Sequence, residues 1–270
     1  MFMKTIIKLL LILILLCGLS SCNSRSSLKN NTPPVRIKVL SYNIYHGENM
    51  NGGSNLQMVA RIIRSIDPDI VAFQEVDSCT TRSGGIDIAK VLGKLTRMNH
   101  IFGKAMEFQG GGYGEAILSR YPILESVNHL LPASPEHEPR AALEVTIEIS
   151  PGEKLRFIGT HLDHTRDSED RKLQARTINK KIFSGGELPL IIAGDLNARP
   201  GSETIDIFLK NWIDATDGKA LYNTAQESRR GRIDYIMYHP EDSWKVIEYR
   251  VIDEKDASDH NPVFVVFEYQ

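Results

Sequence analysis

The sequence predicts an α/β protein in which two β-sheets pack face to face and helices cover their outer sides. Short apolar runs typical of strands outnumber the segments with helical spacing. Several of these runs are separated by gaps of hairpin length, which suit antiparallel neighbours. A doubly wound parallel sheet would need a helix between nearly every pair of strands, and the chain has too few helical segments for it.

The first predicted elements are a strand, a helix and a buried strand. Residues 35–44 alternate well enough to predict a strand. The apolar side chains that follow lie on one helical face: Leu56, Val59, Ile62, Ile63 and Ile66. Pro68 ends this helix, because proline has no backbone N–H to donate. The apolar run at residues 70–74 predicts a buried strand. A second helix is indicated by Ile86, Ala89, Leu92 and Leu95.

Strands dominate the rest of the chain. They are predicted at residues 116–119, 123–131, 141–149, 155–161, 188–194, 232–238, 246–252 and 263–269. The polar stretch at residues 167–183 predicts an exposed helix. No second Pro/Gly/Ser-rich break and no internal repeat interrupts residues 35–270, so this length of chain is predicted to be one domain.

The amino terminus has the features of an export signal. Lys4 and Lys8 lead into an apolar run of about eleven residues, whereas a membrane-spanning helix needs roughly 20. Residues 19–22, Leu-Ser-Ser-Cys, resemble a bacterial lipobox, in which Cys22 is lipidated and becomes the mature amino terminus. We therefore expect a lipoprotein signal peptide at residues 1–21, with an ordinary secretory signal as the alternative. Residues 22–34 are predicted to be a flexible tether.

These features predict where the protein is located and how it is stabilised. The expected location is the cell envelope of a bacterium, either periplasmic or surface-exposed, with Cys22 anchored in a membrane. Cys17 leaves with the signal and Cys22 carries lipid, so Cys79 is left alone. A lone thiol cannot form an intrachain disulfide, so this exported fold is expected to rely on packing.

The charge balance bears on the class of substrate. The chain has 32 Lys and Arg against 34 Asp and Glu, and loss of Lys4 and Lys8 leaves 30 against 34. Proteins that bind duplex nucleic acid usually have a basic face, because phosphate neutralisation supplies much of the affinity. The densest basic cluster, residues 229–232, is too small to predict such a face. A nucleic-acid substrate is therefore left open but is not favoured.

Polar residues end several of the predicted apolar strands. They are Asn43; Gln74 and Glu75; Thr160 and His161; residues 194–197, which include Asp195 and Asn197; and residues 259–261, which include Asp259 and His260. Asp234 adds a carboxylate within an apolar strand. Each alone would be as well explained by a satisfied buried polar group. The six groups of polar residues together predict that these strand ends meet at one edge of the fold and form a functional site.

This set of side chains suits phosphoester hydrolysis. That reaction needs a cation for the phosphate oxygens, a base for the attacking water and donors for the developing charge. Mg²⁺ prefers oxygen ligands, which Glu75, Asp259 and the amide of Asn43 provide. The chain has neither HExxH nor CxxC, so the sequence gives no indication of a zinc site. We expect Mg²⁺ as the cofactor, with Mn²⁺ or Ca²⁺ as alternatives.

The motifs at these positions resemble the endonuclease/exonuclease/phosphatase superfamily, whose fold is shared by DNase I, abasic-site endonucleases, inositol phosphatases and bacterial sphingomyelinases. In family order they are Ser41-Tyr42-Asn43, Gln74-Glu75-Val76, Gly159-Thr160-His161, Gly194-Asp195-Leu196-Asn197, Arg232-Ile233-Asp234-Tyr235 and Ser258-Asp259-His260. The resemblance covers residues 35–270. It implies a DNase I-like catalytic domain, a four-layer α-β-β-α sandwich around two central mixed or antiparallel sheets.

The resemblance also implies a role for each motif residue. The metal would lie at Glu75, with Asn43 and Asp259 close to it. Asp195 would be the base or would orient the attacking water. Asn197 would hold a phosphate oxygen. The two imidazoles beside the scissile phosphate would be His161 and His260, with His260 oriented by Asp234. Which histidine protonates the leaving group stays open.

Two features depart from or extend the family pattern. Some nucleases of the family have a carboxylate two residues after the first-motif Asn, where this chain has Tyr45. The metal would then have fewer protein ligands. The segment from Tyr113 to Ser119 resembles one that carries a Glu partner for the phosphate-binding His in DNase I-like members. Glu115 would have that role towards His161, with surface exposure as the alternative.

Substrate contacts are expected from the loops beside these motifs. Arg82 follows the metal Glu in a Gly-containing loop, and Tyr113 follows three glycines. Arg82 and Arg140 are the candidate contacts for a phosphate or headgroup, with a solvent-exposed arginine as the alternative for each. Tyr113 and Glu115 complete the candidate substrate-binding set.

The sequence is compatible with three functions. The first is an exported phosphodiesterase or phosphomonoesterase that acts on a small or lipid-linked phosphoester. The second is an extracytoplasmic nuclease that uses the same site chemistry on DNA or RNA. The third is a non-catalytic lipoprotein that uses the sandwich for binding, which predicts decay of the metal and base residues that this chain retains. The charge balance favours the first, and no protein partner is inferred.

Overall fold

The computed structural model describes residues 34–270 except 185, 217–223 and 226–230. The predicted signal peptide, Cys22 and the tether up to residue 33 lie outside the described residues. The strands are β1 Arg36–Asn43, β2 Ile70–Ser78, β3 Asn99–Phe108, β4 Gly111–Ser119, β5 Ile123–Leu130, β6 Ala141–Ser150, β7 Glu153–His161, β8 Leu190–Asp195, β9 Ile213–Asp214, β10 Asp234–His239, β11 Trp244–Val251 and β12 Val263–Tyr269. The α-helices are α1 Leu56–Ile66, α2 Ile88–Thr96, α3 Glu169–Phe183 and α4 Glu203–Phe208.

The strands form two sheets of six. Sheet 1 has the order β11-β12-β1-β2-β4-β3, and sheet 2 has the order β5-β6-β7-β8-β10-β9. Each sheet has one parallel pair at its centre, β1 with β2 and β7 with β8. The other neighbouring strands are antiparallel. Both sheets are therefore mixed, and the predicted pair of packed sheets is confirmed.

An apolar layer fills the space between the two sheets. Sheet 1 contributes Ile37, Val39, Ile70, Ala72, Ile117, Val263 and Val265. Sheet 2 contributes Leu143, Val145, Ile147, Leu155, Phe157, Ile191, Ala193 and Ile236. Alternate side chains of a strand point to opposite faces, so these strands supply every second residue to this layer.

The helices cover the outer faces of both sheets. Side chains of α1 and α2 pack on sheet 1 with Leu40, Val71, Phe73 and Leu118. Side chains of α3 and α4 pack on sheet 2 with Ile158, Ile192, Tyr235 and Met237. This arrangement gives four layers in the order α-β-β-α, and the predicted fold class is confirmed. Among the described residues, no helix is both long enough and apolar enough to cross a membrane.

Helix boundaries follow local chemistry. The α1 helix ends at Ile66, where Asp67 adopts a left-handed conformation (φ 59°) ahead of Pro68. The α2 helix begins after Asp87, whose carboxylate accepts a hydrogen bond from the backbone N–H of Lys90 at 3.0 Å. Such a cap satisfies one of the N–H groups that a helix leaves without partners at its first turn.

The α3 helix differs from its prediction as an exposed helix. One face is buried, and it contains polar residues, Asp170, Arg171 and Gln174, as well as Ala175, Ile178 and Ile182. The Gln174 side chain donates to the carbonyl of Pro132 at 3.0 Å and accepts from the backbone N–H of Asp163 at 2.9 Å. Hydrogen bonds of this kind allow polar groups to be buried, and a hydrophobicity pattern does not detect them.

The core layer gives a test of the sandwich. Phe157 on β7 is fully buried between the sheets. We expect Phe157→Ala to lower the free energy of unfolding by about 3–5 kcal/mol, because it removes buried apolar area and leaves a cavity. Urea denaturation measures this change. The matched control is Val127→Ala on β5, where the side chain is 51% exposed and the change should stay within about 0.5 kcal/mol. A loss at Phe157 no larger than at Val127 would contradict the assigned core.

Candidate active site

Strand register brings the motif residues to one edge of the sandwich. Asn43 at the end of β1 is paired with Gln74 on parallel β2. In sheet 2, His161 at the end of β7 is paired with Asp195 at the end of parallel β8. Asp234 begins antiparallel β10 directly opposite Asp195. The carboxyl ends of the parallel pairs and the amino end of β10 therefore meet at the same edge.

Gly194 permits the close packing of β8 beside β7. A Cβ atom at this position would overlap the backbone carbonyl of Thr160. Glycine is the residue without a Cβ, so it suits a position where two backbones approach this closely. The motif thus needs Gly194 so that Asp195 can follow at the strand end.

Glu75 reaches the site through a β-bulge. It lies within β2 rather than at its end, because β2 continues to Ser78. The register with β4 shifts between Phe73 and Val76, and Glu75 has a φ of 57°. A bulge re-aims the side chain at the extra residue. The Glu75 carboxylate consequently lines the cleft at the sheet edge.

Asn43 connects two carboxylates. Its Nδ2 donates to Oε1 of Glu75 at 3.0 Å and lies 3.4 Å from Oδ2 of Asp195. Its Oδ1 accepts a hydrogen bond from the backbone N–H of Tyr45 at 3.1 Å. The Asn43 side-chain NH₂ group thus contacts both carboxylates, and its carbonyl oxygen accepts the hydrogen bond from the backbone of Tyr45.

The Glu75 carboxylate has the charge that a cation site needs. Burial alone would raise its pKa, but the His46 imidazole, 3.8 Å from Oε2, together with His161 and the Asn43 amide, holds the pKa well below its usual range. Glu75 is therefore ionised at neutral pH. Asp259 lines the same cleft, as does Tyr45, which supplies no carboxylate at its position.

A histidine between two carboxylates forms the centre of the site. His260 Nδ1 lies 2.9 Å from Oδ2 of Asp234, and His260 Nε2 lies 3.7 Å from Oδ2 of Asp195. The other carboxylate oxygen of Asp195, Oδ1, accepts a hydrogen bond from the backbone N–H of Asn197 at 2.8 Å. Asp234 thus orients the ring and leaves Nε2 facing Asp195.

The same cluster sets two protonation states. Burial alone would lower the pKa of His260, but the Asp234 and Asp195 carboxylates raise it to about 10. His260 is therefore an imidazolium at neutral pH. Burial, followed by the nearby Asp234 charge, raises the pKa of Asp195 to about 7.

His161 has the opposite charge state. Burial and the neighbouring Arg140 guanidinium hold its pKa well below the ordinary value, so the ring is neutral. Arg140 lies 3.0 Å from Nδ1 of His161, and an arginine can only donate. Its other ring nitrogen, Nε2, lies 3.0 Å from Nδ2 of Asn197, which is also a donor, and 3.5 Å from Oδ2 of Asp195, so donor groups face both ring nitrogens.

Arg140 is a buried arginine that forms part of the cleft wall. Only 1% of it is exposed, so it does not extend into solvent. Besides His161, it donates to Oε2 of Glu138 at 2.7 Å and to Nδ1 of His164 at 3.0 Å. The site residues predicted from the sequence include Arg140 but not Glu138, although only one residue separates them in the chain.

Arg82 and Tyr113 lie on another part of the wall. Arg82 donates to both oxygens of the fully buried Asp77, at 2.7 and 2.9 Å. Its guanidinium lies 4.6 Å from the ring centroid of Phe108 and 5.5 Å from that of Tyr113. Contacts with aromatic rings and a bidentate ion pair hold Arg82 in place. Phe108 is not among the site residues predicted from the sequence, because one aromatic residue in a strand is typical of a core position.

Glu115 occupies a different position from the one that the resemblance implies. It is 1% exposed, and burial raises its pKa well above the usual range. Among the described contacts Glu115 makes no hydrogen bond to His161, and its Oε2 has no hydrogen-bond partner. Arg140 occupies the place beside Nδ1 of His161 instead.

The resulting cleft has a volume of about 310 Å³. Of the predicted site residues, it is lined by Glu75, Arg82, Tyr113, Arg140, His161, Asp195, Asn197, Asp259 and His260. Asn43 and Asp234 are buried and contact lining residues. The cleft also includes His46, Met106, Phe108, Glu138 and His164.

Comparison with known proteins identifies the family. The sequence model of the endonuclease/exonuclease/phosphatase family matches residues 40–260, so the chain belongs to this family. Family members are hydrolases that act on phosphoesters, and they generally depend on a divalent metal. The family resemblance of the sequence is therefore confirmed.

Individual relatives agree with this assignment. Protein cwh43 of Schizosaccharomyces pombe (strain 972) is 27% identical over 149 residues, which cover 55% of this chain and only 15% of that protein. A family protein from Bacteroides thetaiotaomicron is 22% identical, with a TM-score of 0.72 over 88% of this chain and 99% of that chain. A mannosyl-6-phosphatase from Bacteroides thetaiotaomicron VPI-5482 is 21% identical, with a TM-score of 0.71 over 86% of this chain and 100% of that chain. At these identities the structural similarities establish the fold.

The His260–Asp234 pair gives a titration test. We expect Asp234→Asn to lower the pKa of His260 from about 10, because burial without the carboxylate disfavours the imidazolium. The raised pKa stabilises the folded state fully below pH 6.5, and this contribution disappears as the pH rises through about 10. The variant should lose this pH dependence. NMR titration of the His260 ring nitrogens in metal-free protein measures the pKa, and the exposed Asp242→Asn is the control. An unchanged pKa would show that Asp234 does not set the charge.

Proposed function

We propose that this protein is a divalent-metal-dependent phosphoesterase that hydrolyses a phosphodiester or phosphomonoester, on a small or lipid-linked molecule, by attack of water. One observation carries the proposal. Oδ2 of Asp195 lies 3.5 Å from one imidazole and 3.7 Å from the other, at the wall of a cleft that Glu75 also lines. This arrangement supports a site in which a base, two imidazoles and a metal-binding carboxylate act around one small volume.

The residues present fit a divalent cation. Glu75 is ionised and Asp259 lines the same cleft, and both offer the oxygen ligands that Mg²⁺ prefers. We propose Mg²⁺, with Mn²⁺ or Ca²⁺ as alternatives that the same oxygens would accept. When bound, the cation neutralises charge on the phosphate oxygens. Asn43 holds Glu75 in place through its N–H group.

Asp195 and the two histidines have complementary tasks. Asp195, with a pKa raised to about 7, accepts a proton from the attacking water. His260 is an imidazolium whose Nε2–H donates to a phosphoryl oxygen as negative charge develops. His161 is neutral and would be the second imidazole beside the scissile phosphate. Asn197 provides a side-chain amide beside it.

The cleft favours a compact substrate over a nucleic-acid duplex. Its volume of about 310 Å³ is at the small end for a ligand pocket. Both arginines that line it are paired with carboxylates, Arg82 with Asp77 and Arg140 with Glu138. Paired arginines provide little net positive charge for the successive phosphates of a polymer. A nuclease is the second candidate, because the same chemistry serves any phosphodiester.

We also propose that the protein is anchored in the cell envelope of a bacterium. The lipobox-like residues 19–22 support this location, with Cys22 as the site of lipidation and either the periplasm or the cell surface as the compartment. A membrane anchor would keep the enzyme close to phosphoesters of the envelope. Mass spectrometry of Cys22 in the mature protein tests the lipidation.

Asp195→Asn gives the most direct test of the catalytic proposal. We expect turnover of bis-p-nitrophenyl phosphate to fall by about 10³-fold or more, because the amide cannot accept the proton of the water. The unfolding midpoint should stay close to that of the wild type, since Asn has nearly the same shape. The matched control is Asp242→Asn, at an exposed position. Comparable activity in the Asp195 variant would overturn the assignment of the base.

Glu75→Ala tests the metal site. We expect the Mg²⁺ concentration needed for half-maximal activity to rise about tenfold or more, because an ionised oxygen ligand is lost. Titration of activity with Mg²⁺ measures this shift, and Glu241→Ala at an exposed position is the control. An unchanged activation curve would place the metal elsewhere. If the wild type shows no turnover with Mg²⁺, Mn²⁺ or Ca²⁺, the non-catalytic binding function would replace this proposal.

A further inference from the structure

Three side chains with metal-ligand chemistry meet beside the amino terminus of α3. His137 lies in the connection between β5 and β6, Asp163 follows β7, and Asp170 is in the first turn of α3. One ligand atom from each lies within 4.8 Å of the other two. We call these three residues the His137 cluster. None of them lines the catalytic cleft described above.

Asp163 provides the observation that points to a ligand. It is fully buried, and its Oδ1 has no hydrogen-bond partner. That oxygen lies 3.8 Å from Nδ1 of His137, so it faces the cluster. Its other oxygen, Oδ2, accepts hydrogen bonds from the backbone N–H and the hydroxyl of Thr165. A buried carboxylate oxygen without a partner costs free energy, which a bound cation would recover.

The neighbouring arginine does not satisfy this oxygen. Arg171 NH1 lies 3.7 Å from Oδ2 of Asp163, the oxygen that already accepts two hydrogen bonds. The same nitrogen donates to the backbone carbonyls of Asp163 at 3.0 Å and Thr165 at 2.5 Å. Arg171 thus stabilises the backbone of this segment and leaves Oδ1 open towards His137.

Asp170 supplies a second carboxylate to the cluster. The backbone N–H and the hydroxyl of Ser134 donate hydrogen bonds to its oxygens Oδ2 and Oδ1, respectively. These bonds measure 2.8 and 2.9 Å. Oδ2 of Asp170 lies 2.7 Å from Nδ1 of His137. The His137 side chain is 27% exposed, so the cluster is accessible from solvent.

We propose that the His137 cluster is a second cation site, which binds a divalent transition-metal ion of the Zn²⁺ class through His137 Nδ1, Asp163 Oδ1 and Asp170 Oδ2. The distances from His137 Nδ1 to the two oxygens, 2.7 and 3.8 Å, bracket the roughly 3.4 Å between ligands of a tetrahedral ion at about 2.1 Å. One imidazole nitrogen with two carboxylate oxygens suits Zn²⁺ or Mn²⁺, whereas Mg²⁺ and Ca²⁺ prefer oxygen alone.

A cation here would hold one wall of the catalytic cleft. The connection that carries His137 also carries Glu138 and Arg140, and Asp163 lies two residues after His161. A bound cation would therefore hold the segment that contains Arg140 against the segment that contains His161. These two side chains are already in contact, because a guanidinium nitrogen of Arg140 lies 3.0 Å from Nδ1 of His161. The proposed role is structural, and it is independent of the proposed phosphoesterase activity because the ligands of the two sites are different residues.

Metal stoichiometry tests the site. The full chain is purified in detergent, stripped with a chelator and titrated with Zn²⁺ by calorimetry, with Co²⁺ absorption as a second readout. Glu75→Gln is the background in which the cleft site is weakened. In that background we expect about one equivalent of Zn²⁺ to bind, with a rise in Tm of about 5 °C at saturation. Adding His137→Gln should remove both the binding and the rise, whereas adding His100→Gln, at an exposed histidine, should remove neither.

The outcomes separate a metal site from an ion pair. The proposal is supported if the His137→Gln variant loses one equivalent of bound Zn²⁺ and the His100→Gln variant retains it. Equal binding in both variants, or no binding in the Glu75→Gln protein, overturns it and leaves the cluster as a His–Asp ion pair. If His137→Gln fails to fold, the Co²⁺ spectrum of the Glu75→Gln protein decides, because absence of ligand-field bands there excludes the site.

Discussion

Two sheets must approach closely for this site to exist, and the contact between β2 and β7 sets how closely they can. A Cβ atom at Gly159 would lie 3.4 Å from the side chains of both Ala72 and Ile117. Side chains larger than alanine at position 159 would therefore push the sheets apart. At this spacing, Nδ2 of Asn43 on sheet 1 lies 3.4 Å from Oδ2 of Asp195 on sheet 2. The proposed site residues of both sheets meet across this small-residue packing.

The same kinds of side chain acquire different charges from their surroundings. His260 faces two carboxylates and is charged, while His161 is buried beside an arginine and is neutral. Glu75 is near imidazoles and an amide, which lower its pKa, whereas Glu115 is buried with an oxygen that has no partner, and burial raises its pKa. Such divergence gives one cleft side chains of the same type with opposite pKa shifts, as functional sites often have.

Sequence reasoning succeeded where the information was local and failed where it depended on contacts. Apolar spacing predicted α1 and most of the strands. It did not predict β3, an edge strand whose burial does not alternate, or the short α4. It placed Glu75 at a strand end, whereas a bulge within β2 presents it. Burial of Asp170 and Gln174 in α3 depends on partners that are distant in the sequence.

The sequence by itself determined the fold class, the family and the motif residues, because periodicity and motif chemistry are properties of short segments. The tertiary structure decided how those residues are arranged and charged. It placed Arg140 rather than Glu115 beside His161, and it paired each cleft arginine with a carboxylate. Contacts of this kind join segments far apart in the chain, and their energies depend on burial and distance, which no short segment of sequence contains.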